Sequence, residues 1–518
     1  MSVFWCGRKT VATGFFAAAS AVFAPVADSM VVVDLCTGEY HTCAILTQGS
    51  IHCWGANERG QLGLGDSRDR TSAVDNNGRH SSMISGLGRA ATRVACGAAH
   101  TCATFDDGSV RCWGDNSMGQ LGLGFTTSMV KTATGDDGSH LPVVDVGIGG
   151  ETVDICCGMY HTCTVLRDGG VKCWGQNTHG QLGHGQVVGG PAVVGVSKDD
   201  MGAGLPRLHF LHGHNARSIS CGAYHTCVIL NVHVVKCWGS NRHGQLGRGH
   251  FDPIRVPLSQ MPQVQLALGP IRSLSCGFAH TCAVSTQGIA KCWGANDGGQ
   301  LGANDLLQRG DDPGEMDKHL PCVDVGAAKV VSVSCGRLHS CVAFSNGDAK
   351  CWGLNYAGQL GLGESFVGKG LGAGEVGEAL PAVNLGSGAS IKRLSCGGSH
   401  TCAVLSTGKM KCWGANSRGQ LGLGDRESRG TSALQMGDFL PNLTLTDAHL
   451  AASSSSTSTM TSSVTTVTSA SKRTTTTFSS AATGMQSATG FPFSTTTLIS
   501  MSSITTTTST TTTSTSTT

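Results

Sequence analysis

Charge is scarce in this sequence. Asp, Glu, Lys and Arg make up 14 % of it, and 36 basic against 34 acidic residues leave a net charge of +2. With no acidic or basic excess to draw the chain onto nucleic acid or an anionic membrane, the composition argues against a nucleic-acid reader. Long apolar runs are also lacking. Beyond residue 27 none approaches the roughly 18 residues that a spanning helix needs, so the mature body is expected to have no membrane span. Proline is sparse, 13 residues against 74 glycines. Cysteine is not: 24 residues are more than a typical reduced cytosolic protein of this size carries, and their placement is regular.

Two terminal zones stand apart. Residues 1–27 carry Arg8 and Lys9 ahead of an uncharged stretch of small and apolar residues, 11–27, in which Ala19-Ser20-Ala21 fits a small-x-small cleavage site. This reads as a secretory signal, with an organelle transit segment or a short membrane anchor as the competing readings. Residues 452–518 are dominated by Ser and Thr and cannot build a core. That disordered tail is either an O-glycosylated stalk or an unmodified extension. It ends in polar Thr518, which argues against a C-terminal lipid anchor.

Between these zones, residues 31–446 repeat one pattern. Trp recurs at positions 54, 113, 174, 238, 293, 352 and 413, a spacing of about 60 residues. Each copy reads close to Cys-Gly-x-x-His-Thr-Cys-Ala, a turn, then Cys-Trp-Gly-x-Asn-x-x-Gly-Gln-Leu-Gly. A fixed period of this length points to a solenoid or a propeller. Folding the first copy about its turn pairs Ile45 with Ile51 and Leu46 with Ser50. The three-residue loop Thr47-Gln48-Gly49 then has glycine where such a hairpin needs a left-handed residue. Six copies obey this rule. The fourth has Asn231-Val232-His233, so a distorted or longer turn is expected there. His41, Cys43 and Ile45 alternate with Thr42, Ala44 and Leu46, leaving both strand faces rather apolar, as in small sheets stacked face to face around an axis.

The seven copies of Gly-x-x-His-Thr, Trp-Gly-x-Asn and Gly-Gln-Leu-Gly resemble the regulator of chromosome condensation repeat, over about 80 % of the chain. The resemblance implies an all-β, seven-bladed β-propeller. It also implies how the ring closes: Val31 to Leu35 is expected to meet Leu440 to Leu445, the last of the short Leu-Pro strands exemplified by Leu141-Pro142 and Leu380-Pro381, within one blade.

The turn arithmetic sets seven cysteine pairs directly opposite each other: Cys43 with Cys53, Cys102 with Cys112, Cys163 with Cys173, Cys227 with Cys237, Cys282 with Cys292, Cys341 with Cys351, and Cys402 with Cys412. Each falls at a non-hydrogen-bonded position, where Cα atoms approach to about 4.5 Å, within disulfide range. Hairpin disulfides are the expectation and buried free thiols the alternative. A further set, Cys96, Cys157, Cys221, Cys276, Cys335 and Cys396, has no evident partner; in the first copy its equivalent, Cys36, sits one place early, like Cys156. Small-residue packing is the default reading for these. Cys96, His100, Cys102 and Cys112 have zinc-ligand chemistry, but the spacing is wrong for a structural site, and no metal or cofactor is expected. His41, His100, His161, His225, His280, His339 and His400 are read as structural, with ring nitrogens bonded to turn backbone. Trp54, Trp113, Trp174, Trp238, Trp293, Trp352 and Trp413 belong to the same framework.

Members of the resembled family include an exchange factor for a small GTPase, an ultraviolet photoreceptor, ubiquitin ligases and a secreted inhibitor of β-lactamases. The photoreceptor's tryptophans between Gly and His-Thr have no counterpart here, where Glu39-Tyr40, Ala98-Ala99 and Met159-Tyr160 stand. No nucleophile elbow or phosphate-cradling lysine motif is present, so the chain is read as a non-enzyme. Arg309-Gly310-Asp311 reads as loop consensus rather than an adhesion tripeptide, since Arg429-Gly430-Thr431 occupies the matching place. Asn442-Leu443-Thr444 is an N-glycosylation acceptor if the protein is secreted. The leading expectation is a secreted or surface-exposed propeller that binds a protein or glycan through loops following Gly-Gln-Leu-Gly, such as residues 66–86, 125–140, 186–211, 249–268 and 304–319. The alternative is an intracellular exchange factor or scaffold for a small GTPase.

Overall fold

The repeating unit is a three-stranded antiparallel sheet, seen here in a computed structural model that describes residues 31–73, 82–84, 87–128, 141–185, 191–251, 260–364, 368–443 and 445. The signal-like segment and the Ser/Thr tail lie outside the described residues, as do parts of the variable loops, 74–81, 85–86, 129–140, 186–190 and 252–259. In the third copy the inner strand is Thr152–Cys157, the middle strand His161–Leu166 and the outer strand Val171–Gln176. Cys163 stands opposite Cys173 and Val165 opposite Val171. The turn between them closes with Leu166 N–H bonded to Gly170 O at 2.8 Å, and Gly169 takes φ +80°. Only glycine enters that region without a steric penalty from its side chain.

Every inner strand carries the same irregularity one residue from its start, as between Val32 and Asp34 or Thr152 and Asp154. Such a bulge adds twist at the strand that must run closest to the axis. The seven sheets follow one another around that axis. Each inner strand contacts the next, and Val32–Thr37 in the first sheet contacts Ile391–Cys396 in the last, so the ring closes. Middle strands are buried on both faces throughout, for example His41–Leu46 and His400–Leu405. This is why their sequence does not alternate apolar with polar.

The fourth strand of each blade is reduced. Met83–Ile84 pairs Ile51–His52, and Arg207–Leu208 pairs Val171–Lys172. Elsewhere a single backbone bond replaces a strand, as from Val323 N–H to Ala290 O (2.9 Å) and from Val383 N–H to Ala349 O (2.8 Å).

Two expectations are corrected. The fourth hairpin is neither longer nor distorted: His233 N–H reaches Leu230 O at 2.8 Å, and His233 itself adopts φ +61°. A side chain takes the glycine's place, partly held by Nδ1 lying 3.3 Å from Ile271 O. The ring also does not close within a blade. The N-terminal strand is the inner strand of the first sheet, whereas Leu443 pairs Met410 in the last. The two segments meet only across the seam, where Val32, Ala44 and Trp54 pack with Met410, Leu443 and Leu445.

Candidate functional site

Closure rests on one contact made seven times. The Nε2 of each repeat histidine meets the hydroxyl of the next sheet: His41 with Thr101 (2.9 Å), His100 with Thr162 (3.0 Å), His161 with Thr226 (3.0 Å) and His225 with Thr281 (2.9 Å). His280 with Ser340 (2.9 Å), His339 with Thr401 (3.0 Å) and His400 with Thr42 (3.0 Å) complete the circle. Each hydroxyl donates its own proton to a glutamine carbonyl of the preceding copy, as Thr42 does to Gln420 O (2.9 Å) and Thr101 to Gln61 O (2.8 Å). With its proton spent, the hydroxyl accepts, so Nε2 carries the hydrogen and Nδ1 the lone pair. Trp54 Nε1 donates to the same Gln420 O (3.0 Å), and the other six tryptophans act likewise.

The histidines anchor each sheet to the next, but their partner is a side-chain hydroxyl across the seam and not the turn backbone expected from the sequence. All seven Nδ1 atoms are buried without a hydrogen-bond partner. Burial holds the rings neutral, lowering His41, His161, His225, His280 and His400 to about 3 and His100 and His339 to about 4. The glycine of Gly-x-x-His makes room for the ring: a Cβ on Gly158 would stand 2.1 Å from His161 Cε1 and 2.5 Å from Gly222 O.

The opposed cysteines are bonded in all seven hairpins. Cys43 is joined to Cys53, Cys102 to Cys112, Cys163 to Cys173, Cys227 to Cys237, Cys282 to Cys292, Cys341 to Cys351, and Cys402 to Cys412, each pair with Cα atoms 4.1 Å apart. The remaining set divides: Cys96 and Cys221 are bridged, and Cys157, Cys276, Cys335 and Cys396 pack as buried thiols. Cys36 bonds Cys96 and Cys156 bonds Cys221, each across a seam. The cysteine of one copy faces the residue one place early in the copy before it. Where that residue is Ala95, Ser220 or Ser275, the thiol of Cys157, Cys276 or Cys335 meets its carbonyl at 3.4–3.5 Å. At the closing seam the same place holds Thr37 Oγ1 and Ser395 Oγ, 2.7 Å apart. The early position of Cys36 and Cys156 was the signal in the sequence, and it identifies which seams are bridged. Cys157, Cys276, Cys335 and Cys396 are unbonded, buried thiols pushed up to about 12 by burial; such thiols are poor nucleophiles.

The zinc-like foursome is not what converges. His100 and Cys102 lie with Cys157 of the next copy, ligand atoms within 4.8 Å of one another, and His225, Cys227 and Cys276 do the same. Cys102 and Cys227 are spent in disulfides, however, and have no thiolate to offer a metal. Arg309 is paired with Asp305 at 2.7 Å and Asp311 is buried, an arrangement unsuited to adhesion; Arg70–Asp66 and Arg429–Asp425 repeat the ion pair. Asn442 is exposed.

Exposed chemistry gathers at the Gly-x-x-His end. Arg337 bonds Glu39 Oε1 at 3.0 Å and lies 5.2 Å from the centre of the Phe278 ring, which Tyr224 meets edge-on. Residues from all seven copies, Gly38 to Gly398, line the axial opening there. The segments after Gly-Gln-Leu-Gly return to this end through backbone bridges Gly55–Arg70, Gly294–Arg309, Gly353–Lys369 and Gly414–Arg429.

Seven sheets in a closed ring, joined by a repeated His–hydroxyl bond, define a β-propeller. Residues 2–369 match the family model described as RCC1-like domain, and residues 391–420 match the regulator of chromosome condensation (RCC1) repeat. The chain belongs to the RCC1-like domain family. It is similar to the ultraviolet-B receptor UVR8 of Arabidopsis thaliana, 29 % identical over 77 % of this chain and 80 % of that protein. It is also similar to the probable E3 ubiquitin-protein ligase HERC4 of Homo sapiens, 28 % identical over 64 % of this chain but only 33 % of the ligase. Among solved structures, Prp20p from Saccharomyces cerevisiae shares the fold at 18 % identity and TM-score 0.56, covering 80 % of this chain and 88 % of that one. Human WBSCR16 does so at 21 % and 0.55, covering 76 % and 93 %.

Proposed function

We propose that this chain is a non-catalytic interaction propeller, secreted or surface-exposed, that binds a protein or glycan at its Gly-x-x-His end. One observation carries the reading: all four tyrosines of the sequence, Tyr40, Tyr160, Tyr224 and Tyr356, belong to that end, where Tyr224 meets Phe278 and Arg337 lies over the Phe278 ring. Tyr40 and Tyr356 are 42 % and 63 % exposed. Aromatics and arginine are the residues on which binding energy concentrates. The repeated His Nε2, hydroxyl and Trp Nε1 groups are spent on one another and on the glutamine carbonyls, within the buried seams. Nine disulfides among the described residues support an oxidising compartment. The test is Tyr40→Ala with Tyr356→Ala in a pull-down from extracellular material, alongside mass spectrometry of native protein with thiols trapped before reduction. Loss of captured partner, with Cys102 and Cys112 found linked, supports the proposal; alkylated cysteines behind an intact Met1 remove the secreted half of it.

The second reading places the same end against a small GTPase inside a cell. The unbonded thiols at Cys157, Cys276, Cys335 and Cys396 favour it. It predicts accelerated nucleotide release from a small GTPase, and a panel showing none removes it.

A further inference from the structure

The opposite mouth of the central channel, at the hairpin-turn end, differs in kind. The inner strands begin there, next to the channel, and each carries its bulge at this end. Each inner strand offers two positions at this level, the bulged residue and the one after it. Five of them are cations, Arg93, Arg217, Arg272, Lys392 and Arg393, all exposed. Two carboxylates, Asp34 and Asp154, share the level. Five cations against two carboxylates give these positions a charge of +3.

The carboxylates are turned into the wall. Asp34 accepts the Val94 N–H at 3.0 Å and Asp154 the Ile219 N–H at 3.2 Å, each in the next sheet. Arg393 is paired with Asp34 at 3.1 Å. Arg217, Arg272 and Lys392 make no side-chain hydrogen bond or ion pair among the described residues, and they stand in the fourth, fifth and seventh sheets. Next to the first two lie Ser218 and Ser273, hydroxyls at the positions that Asp34 and Asp154 take in the first and third sheets. At the other mouth, by contrast, Arg337 and Glu39 neutralise each other.

We infer that the hairpin-turn mouth is an anion site, taking a compact ligand with clustered sulfate or phosphate esters between Arg217, Arg272 and Lys392. Cations at equivalent positions of the inner strands around one rim favour such a ligand, because charge-assisted bonds from guanidinium to ester oxygens are strong and the rim loses little entropy on binding. The site is independent of the partner proposed for the Gly-x-x-His end and of the compartment.

Thr92 occupies the bulge position in the second sheet, so threonine is the natural replacement. Calorimetric titration of the full chain with sucrose octasulfate and with inositol hexakisphosphate would be compared with a triple variant carrying Arg217→Thr, Arg272→Thr and Lys392→Thr. A control variant with Arg59→Thr and Lys318→Thr removes exposed cations elsewhere. The expected result is binding of at least one probe that weakens about tenfold or more in the triple variant, at unchanged melting temperature, is unaffected in the control, and fades at about 0.5 M salt. Tighter binding of the octasulfate points to a sulfated glycan, and of the hexakisphosphate to a phosphate ester. Equal binding by the triple variant, or no binding of either probe by the native chain, overturns the inference.

Discussion

His400 in the last sheet donates from Nε2 to the hydroxyl of Thr42 in the first, 3.0 Å away, and so joins residues at opposite ends of the repeat array. The hydroxyl passes the link on to Gln420 O at 2.9 Å. Removing it by Thr42→Val leaves a buried ring N–H without an acceptor, which costs about 1–3 kcal/mol. Thr42→Ser is expected to cost under about 1 kcal/mol, since Ser340 fills the same role in the sixth copy at 2.9 Å. Urea unfolding of both variants checks this; equal losses would mean that the methyl group, not the hydroxyl, matters.

The same ring makes stability depend on pH. The seven histidines titrate at about 3 to 4 when folded, through burial, and near 6.5 when unfolded. Between those values the unfolded chain binds more protons, so the contribution is fully present above about pH 6.5 and is lost as pH falls toward the folded values. The slope approaches about 1.4 kcal/mol per pH unit for each ring. Melting temperatures are expected to fall steeply from pH 6.5 to 4.5, with proton uptake on unfolding seen by calorimetry in buffers of different ionisation enthalpy. A flat profile would contradict neutral buried rings.

How much of this was legible follows from which contacts are local. The opposition of Cys43 and Cys53 follows from counting outward from Gly49, because a hairpin's turn fixes its register. Cys36 and Cys96 lie 60 residues apart and meet across two sheets packed face to face; no turn counts that register. The histidine partner was missed for the same reason. The Tyr-bearing end and the cationic mouth were invisible because their members, such as Arg217 and Arg272, come from different copies and occupy positions the repeat leaves free.

The two classes of disulfide are expected to differ in worth. The bridge from Cys43 to Cys53 spans 10 residues and that from Cys36 to Cys96 spans 60. Chain-entropy arithmetic gives about 3 kcal/mol for the shorter loop and about 4 kcal/mol for the longer. Replacing Cys36 and Cys96 together by Ser is therefore expected to lower stability more than replacing Cys43 and Cys53, in guanidinium unfolding under non-reducing conditions. The reverse order would show that the seam cysteines do not constrain the unfolded chain.

Gly158 separates steric need from backbone need. Its φ is not positive, yet a Cβ there would lie 2.1 Å from His161 Cε1 and 2.5 Å from Gly222 O, both held in place. Gly158→Ala is expected to cost about 3 kcal/mol or more, or to prevent folding, as overpacking of a fixed site does. Gly149, at φ +73° with nothing within 4 Å, isolates the other effect, and Gly149→Ala is expected to cost about 1–2 kcal/mol. Comparable soluble yields and unfolding midpoints for the two variants would contradict the steric account.

The fourth hairpin offers the opposite case, a side chain where six copies have glycine. His233 sits at φ +61°, a conformation costing roughly 1–2 kcal/mol for a residue with a Cβ. It recovers part of that through Nδ1, 3.3 Å from Ile271 O. Glycine would remove the strain but add freedom to the unfolded chain, an opposing term of about 0.4–1 kcal/mol. His233→Gly is therefore expected to stabilise by no more than about 1 kcal/mol. His233→Val, β-branched at the same φ, is expected to destabilise by more than about 1 kcal/mol, because branching crowds the left-handed region further. Urea midpoints of the two variants decide it: if both fall together, the ring nitrogen's bond to Ile271, and not the backbone angle, is what this turn depends on.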